Sequence, residues 1–413
     1  MTRNEFVRNG AALALAAAIG AAGSAFVGGS DPRVSEDTPP AVVAAASSDT
    51  VAPAPVIRAE PKVVAAAVAS TDEVEKTAAL VRFDANERVR LANEMARWKT
   101  RHPRQLVEVI ADLAETQPLP LPPTFLLSIA WSETRGKVLA ISPAGAAGLA
   151  QATPSAYLSE GLDGKLFVTT DYLTGTRAFI MKKPLGDVLT IATPLLKTNT
   201  PAARDRARKL VGEAVRLRTE GMEELEALRP VANETFFRKI AEGDAHNLAT
   251  LRELETLLER GAPPAEMKRF HARVQKDYTY LRNLQRAGWA RYATSLTARR
   301  DTLLRAHFGQ SASVVIETRP YEAGEFLGKT LDARFSPVEM AKFLAAHLTT
   351  KQQQARDLGV AEEHLPAWTA ALYNGGAVNV KRMQAGLIAG LPETDKYMKA
   401  VPARSARLER ALG

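Results

Sequence analysis

The chain has 413 residues, of which 46% are hydrophobic and 24% are charged, and its formal net charge is +8. This composition is typical of a globular protein, and the length suffices for two domains or for one domain with additions. There is no cysteine, which excludes disulfides, thiolate catalysis, Cys-ligated zinc and a lipid-modified N-terminal cysteine. The six histidines never form a metal-binding pair such as HExxH, so we predict no metal and no other cofactor.

The basic charge balance is compatible with an ordinary soluble protein and with attraction to an anionic polymer or surface. Cell wall, nucleic acid and membrane are the three candidates. No short basic cluster with interleaved aromatic residues stands out, so we predict no nucleic-acid partner.

Residues 1–29 have the features of an export signal. Arg3 and Arg8 give a positive start, residues 11–22 are almost wholly apolar, and Gly23–Ala25 offers small residues for cleavage. Because the apolar run approaches the ~20 residues that a membrane span needs, an uncleaved N-terminal anchor is the alternative. Either alternative predicts a periplasmic or otherwise exported protein. Residues 30–70, rich in Ala and Pro, are predicted to be a disordered linker.

Helical periodicity begins at residue 71, with apolar residues at three- and four-residue spacing. Two helices are predicted before residue 116, and Pro122–Pro123 predicts the start of a third. The apolar stripe of this third helix faces the core and ends at Glu133, and Gly136 is predicted to stop the helix.

Glu133 and the loop that follows it could form a site. A carboxylate partly withdrawn from water keeps its proton to a higher pH and can act as a general acid near neutrality. The alternative is a helix-end glutamate that turns into solvent. In the loop "SPAGAAGLAQATP", Gly145 and Gly148 let the backbone approach a ligand closely. The Gln151 amide could bind an acetamido group or a sugar hydroxyl.

Residues 155–330 are predicted to form long amphipathic helices. The last two, separated by the "GAPP" at residues 261–264, are interpreted as an antiparallel hairpin with a core-facing stripe. After residue 330 come three more helices, and "LYNGG" ends one of them. Tyr373 lies at that end, where its hydroxyl could reach a cleft. No alternating strand pattern of useful length occurs, so the fold class is predicted to be all-α.

Four motifs carry a resemblance to a known family. They read "SETRG", "SPAGAAGLAQATP", "LYNGG" and "ETDKYM" in chain order. In type and order they resemble the motifs of the soluble lytic transglycosylase family, which shares its lysozyme-like fold with goose-type lysozyme. The match covers about residues 105–154 and 331–401. The resemblance therefore implies a lysozyme-like catalytic domain, built from residues 71–154 and 331–413, with residues 155–330 as a large helical insertion.

The resemblance also implies roles for individual residues. Glu133 would be the single catalytic acid and base. The residues that would line or shape the sugar-binding cleft are Ser142, Gly145, Gly148, Gln151, Tyr373, Asn374, Glu393 and Tyr397. Thr134, Ala150, Gly375 and Asp395 depart from the family pattern. These departures leave the implied chemistry unchanged and affect which sugar subsites the cleft provides.

The implied substrate is the glycan strand of peptidoglycan. The implied reaction breaks the bond between N-acetylmuramic acid and N-acetylglucosamine and leaves a 1,6-anhydro end without consuming water. One alternative is a hydrolytic muramidase, which needs a second carboxylate, and Asp163, Asp171 and Asp332 are the candidates. Another is a non-catalytic wall-binding scaffold of an envelope complex, with the insertion as the docking surface for an envelope protein.

Overall fold

The structure is a computed structural model that describes residues 80–413, apart from residues 224 and 389 and the side chains of residues 219–223. The predicted export signal or anchor, the linker and residues 71–79 of the predicted helical region lie outside the described residues. In the described part, all regular secondary structure is helical, which confirms the all-α class. None of the described helices combines the length and apolar character of a membrane span.

The helices are numbered in chain order. They are α1 (Ala85–Arg97), α2 (Pro103–Thr116), α3 (Pro123–Thr134), α4 (Pro154–Ser159), α5 (Thr170–Leu195), α6 (Pro201–Glu223), α7 (Glu234–Glu259), α8 (Pro264–Phe308), α9 (Ala312–Thr318), α10 (Pro320–Thr330), α11 (Pro337–Asp357), α12 (Leu365–Gly375), α13 (Ala377–Gln384) and α14 (Pro392–Leu412). Single 3₁₀ turns occupy Glu226–Leu228, Gly309–Ser311, Ala333–Phe335 and Glu362–His364.

Proline and left-handed residues set the ends of the helices that bear the motifs. Helix α3 begins at Pro123, as predicted, because a proline at the first helical position has no amide that needs a partner. It ends at Thr134, where Arg135 takes a left-handed conformation with φ of 55° just before Gly136. Helix α12 ends before Gly376, whose φ is 70°. Both helices therefore end at the predicted places. The left-handed cap of α3 is Arg135 rather than Gly136, and the cap of α12, Gly376, combines its positive φ with a ψ of 146°.

A first hydrophobic core surrounds α3. Its buried members come from residues 91–157 and 321–408, two stretches that are far apart in sequence. Every residue from Pro123 to Ala130 is buried, so α3 is enclosed on all sides rather than along one stripe as expected. This enclosure fixes the axis of α3 and therefore the position of Glu133 at its end.

The middle helices build separate cores. Helices α5 and α8 pack along each other, and α6 and α7 pack against α5. The start of α8 runs antiparallel to the end of α7, as the predicted hairpin requires: Glu253 pairs with Arg273, and leucines of α7 share a core with Phe270. The rest of α8 packs along α5, with a close approach at Gly175 and Gly288, where a Cβ on Gly288 would lie 2.8 Å from the Gly175 nitrogen. Two glycines facing each other allow two backbones to approach as side chains would not.

Candidate active site

Glu133 lies in the last turn of α3, where contacts from two directions hold it. The hydroxyl of the adjacent Thr134 donates to the carbonyls of Ala130 and Leu149, each at 3.3 Å, which ties the helix end to the following loop. From α14, the Tyr397 hydroxyl donates to Glu133 Oε1 at 2.7 Å. Glu133 is only partly exposed and lines a pocket, rather than extending into solvent.

The protonation state of Glu133 is set by burial. Burial raises the pKa of the carboxyl group to about 7, and the hydrogen bond from Tyr397 opposes the shift without cancelling it. Among the described residues, burial and the Tyr397 hydrogen bond are the two causes of the shift. The group therefore exchanges its proton near neutral pH, as an acid that later acts as a base requires.

The pocket beside Glu133 is called the Glu133 pocket, and it brings together four residues that the sequence singled out. Gln151 comes from the loop after α3, and Tyr373 and Asn374 come from the end of α12. The remaining wall includes Phe343 and His347 of α11, three further residues of the loop, and Ala156 of α4.

The Tyr373 and Tyr397 rings form a parallel stack beside Glu133. Their centroids are 6.3 Å apart and their planes differ by 6°. The hydroxyl of Tyr373 donates to the carbonyl of Ala150 at 2.7 Å, so it holds the loop instead of reaching freely into the cleft. Burial, together with the nearby Glu133 carboxylate, raises the pKa of both phenols well above the usual value, so both stay protonated as donors.

The predicted loop residues Ser142, Gly145 and Gly148 shape the loop from within. Ser142 Oγ accepts a hydrogen bond from the Ala146 amide at 3.0 Å. Gly145 and Gly148 have φ of 78° and 77°, in the left-handed region that favours glycine. A Cβ on Gly148 would lie 1.8 Å from the Arg334 carbonyl oxygen, so only glycine fits there.

Gln151 and Asn374 line the pocket with amides that the fold has oriented. Gln151 has a φ of 48°, and its amide nitrogen donates to the Gly148 carbonyl at 3.0 Å. Asn374 Oδ1 accepts a hydrogen bond from Thr394 Oγ at 3.0 Å. Glu393, the neighbour of Thr394, is exposed in the first turn of α14 and does not line the Glu133 pocket.

Arg334 is a structural residue of the site that the sequence did not reveal. Its guanidinium is fully buried, pairs with Asp332 at 2.7 Å and donates to the carbonyls of Gly145 and Ala152 at 3.0 Å. It also donates to the Tyr292 hydroxyl on α8 at 2.6 Å. One side chain thus joins the loop to the middle helices, and a charged residue in a short turn gives no sequence signal of such burial.

The three carboxylates considered for hydrolysis are placed elsewhere. Asp332 is fully buried against Arg334, Asp171 pairs with Arg291 at 2.7 Å, and Asp163 is exposed. None of the three lines the Glu133 pocket.

Within the described residues, no group of three or more His, Asp or Glu side chains is arranged to hold a metal ion. Comparison of the chain with protein-family models, with curated proteins and with solved structures finds no match. The site is therefore interpreted from its own geometry.

Proposed function

We propose that this protein is a peptidoglycan lytic transglycosylase that acts through Glu133. The observation that carries the proposal is a carboxyl group whose pKa is raised to about 7 by burial, at the edge of a pocket lined by amide and aromatic side chains. In this proposal, residues 71–154 and 331–413 form a lysozyme-like domain and residues 155–330 are an insertion. The two-part origin of the core around α3 supports that division.

The first step breaks the glycosidic bond. The Glu133 carboxyl donates its proton to the oxygen between N-acetylmuramic acid and N-acetylglucosamine, and the C1–O bond breaks with its electrons on the leaving hydroxyl. The carbonyl oxygen of the substrate's own N-acetyl group stabilises the positive charge at C1. This substrate participation replaces the second carboxylate of most glycosidases.

The second step closes the ring. The Glu133 carboxylate takes the proton of the C6 hydroxyl, and O6 attacks C1 to form the 1,6-anhydro sugar. The carboxyl group is protonated again, so no water enters the balance. The absence of Asp163, Asp171 and Asp332 from the pocket lining favours this route over hydrolysis.

Pocket residues position the sugar in this proposal. Gln151 and Asn374 offer amide groups, and Tyr373 gives the pocket an aromatic wall against which a sugar ring can pack. Tyr397 stacks on Tyr373 and does not itself line the pocket. Tyr397 also donates its hydrogen bond to Glu133 Oε1, which stabilises the carboxylate between the two steps. Peptidoglycan lies outside the cytoplasmic membrane. The proposal therefore requires that the protein is exported, which is the role predicted for residues 1–29.

The test is digestion of isolated sacculi by the wild-type protein and by Glu133→Gln. The amide cannot donate the proton, so we expect turnover to fall by at least about 10³-fold while binding to sacculi persists. Glu255→Gln, a change on the exposed face of α7, is the matched control and should retain full activity. Near-normal turnover by Glu133→Gln would refute the role of Glu133. If the wild-type protein bound sacculi and released no muropeptides, the result would favour the alternative of a non-catalytic wall-binding scaffold.

A further inference from the structure

A second carboxylate stands behind the wall of the Glu133 pocket, paired with a histidine. Nδ1 of His347 lies 2.6 Å from Oε1 of Glu160, and the Thr350 hydroxyl donates to Oε2 at 2.9 Å. Both side chains of the pair are buried, yet the His347 ring lines the pocket. The two residues are 187 positions apart and belong to none of the four sequence motifs.

The His347 ring is held firmly. It stacks on Phe343 with centroids 4.9 Å apart and meets the edge of Tyr373 at 5.4 Å. With Nδ1 fixed by Glu160 and the ring surrounded by aromatic neighbours, the imidazole has a single orientation. Among the residues that the structure describes, the ring makes its hydrogen bond through Nδ1, and Nε2 is not one of the fully buried polar atoms that lack a partner. A polar atom that is held in one place on a pocket wall can form a hydrogen bond that orients a bound ligand.

The charges around the ring favour one tautomer. Burial alone would raise the pKa of Glu160, but the hydrogen bonds from His347 and Thr350, with the charge of the nearby Lys351, hold it below its usual range. Burial and Lys351 hold the pKa of His347 below its usual range despite Glu160. At neutral pH the pair is therefore an ionised Glu160 and a neutral His347. Nδ1 carries the proton that is donated to Glu160, and Nε2 carries a lone pair.

We propose that Nε2 of His347 accepts a hydrogen bond from a polar hydrogen of the glycan bound in the Glu133 pocket, and that Glu160 is the positioning residue that fixes this tautomer. The inference rests on the proposed function, since it assigns a glycan to the pocket. It adds an acceptor on the α11 side of the pocket, whereas the protonated Glu133 carboxyl on the α3 side is a donor. Sugar hydroxyls and acetamido N–H groups both supply the hydrogen that such an acceptor requires.

Binding measurements in a Glu133→Gln background test the contact without turnover. The probe is the tetramer of N-acetylglucosamine, followed by calorimetry. We expect His347→Leu to weaken binding about 5- to 10-fold, the loss of one hydrogen bond, and His347→Gln, which keeps an acceptor, to restore part of it. His364→Gln, an exposed histidine, is the matched control and should bind like the parent. Equal binding by His347→Leu would overturn the inference.

The failure of the proposed function would look different. If the parent protein itself did not bind the tetramer, the assignment of a glycan to the pocket would be overturned, and the histidine contact with it. Binding by the parent that is unaffected at His347 would overturn the histidine contact alone.

A spectroscopic measurement needs no change at His347 and does not depend on the folding of a variant. In protein labelled with nitrogen-15 at histidine, we expect the His347 Nε2 signal to be that of an unprotonated ring nitrogen and Nδ1 that of a protonated one. Addition of the tetramer should shift Nε2 and leave Nδ1 nearly unchanged, and Glu160→Leu should remove the fixed tautomer. A protonated Nε2 in the free protein at neutral pH would overturn the inference.

Discussion

At the scale of single residues, the decisive feature is the balance of forces on the Glu133 carboxyl group. Burial favours the neutral form, whereas the Tyr397 hydroxyl favours the ionised form, and burial is the larger effect. A carboxyl group with a pKa near 7 is present in both forms at neutral pH, so it can give and then recover a proton without a large energetic cost in either direction.

The raised pKa predicts a pH-dependent stability difference between the wild-type protein and Glu133→Gln. A carboxyl group with a folded-state pKa of about 7, against an ordinary value of 4.5, contributes stability that is fully present below pH 4.5 and is lost as the pH rises through 7. The neutral amide avoids that loss. We therefore expect the variant to gain about 2 kcal/mol over the wild-type protein between pH 5 and pH 8.

Denaturant unfolding at a series of pH values measures this difference. Glu255→Gln, on the exposed face of α7, is the control and should show no such trend. A stability difference between Glu133→Gln and the wild-type protein that stays constant from pH 5 to pH 8 would contradict the raised pKa.

The sequence allows some of these residues to be predicted and not others. Glu133 follows from an apolar helix that ends beside a glycine-rich loop, both of which are local patterns. The Glu160–His347 pair and the hydrogen bond from Arg334 to the Ala152 carbonyl join residues that are more than 180 positions apart. No periodicity or spacing encodes such contacts, because each of these charged residues has an ordinary solvated position as its default expectation.

At the scale of elements, the loop after α3 depends on backbone conformations that only glycine adopts easily. At Gly148 a left-handed φ coincides with a carbonyl oxygen at the place where a Cβ would stand. We expect Gly148→Ala to destabilise the protein by about 3 kcal/mol, the combined cost of strained backbone and a forced shift.

Gly161→Ala is a matched control for this prediction. Gly161 has a similar φ of 71°, but nothing lies within 4 Å of the added carbon. The control isolates the backbone cost, and we expect a loss of only about 1 kcal/mol. Thermal or denaturant unfolding compares the two variants, and equal losses would show that the contact with Arg334 does not constrain the loop.

Helix pairing was harder to predict than the helices themselves. The periodic stripes of α7 and α8 correctly predict two amphipathic helices, and adjacency in sequence suggests that they pair. The structure agrees with that pairing at the start of α8. The packing of the rest of α8 along α5 depends on Gly175 and Gly288, which let the two helices come together more closely than two ordinary helix faces would. A lone glycine in a helical pattern gives no indication of its partner, so the sequence does not predict the α5–α8 pairing.

At the scale of the whole molecule, the middle helices are connected directly to the candidate site. The Tyr292 ring of α8 occupies the space in front of Gly145, and its hydroxyl accepts from Arg334, which holds the loop. Residues 155–330 therefore contribute to the loop geometry whether or not they also dock a partner protein. Removing α8 would expose the loop, so point changes on the outer faces of α6 and α7 are the better test of docking to an envelope protein.

The central claim is that one carboxyl group breaks the wall glycan without water, and digestion of purified sacculi in oxygen-18-labelled water tests it most directly. Mass spectrometry of the released muropeptides should show 1,6-anhydro ends that contain no label, produced by the wild-type protein and absent with Glu133→Gln. Reducing ends that carry one labelled oxygen for each bond broken would contradict the claim and identify the protein as a hydrolase.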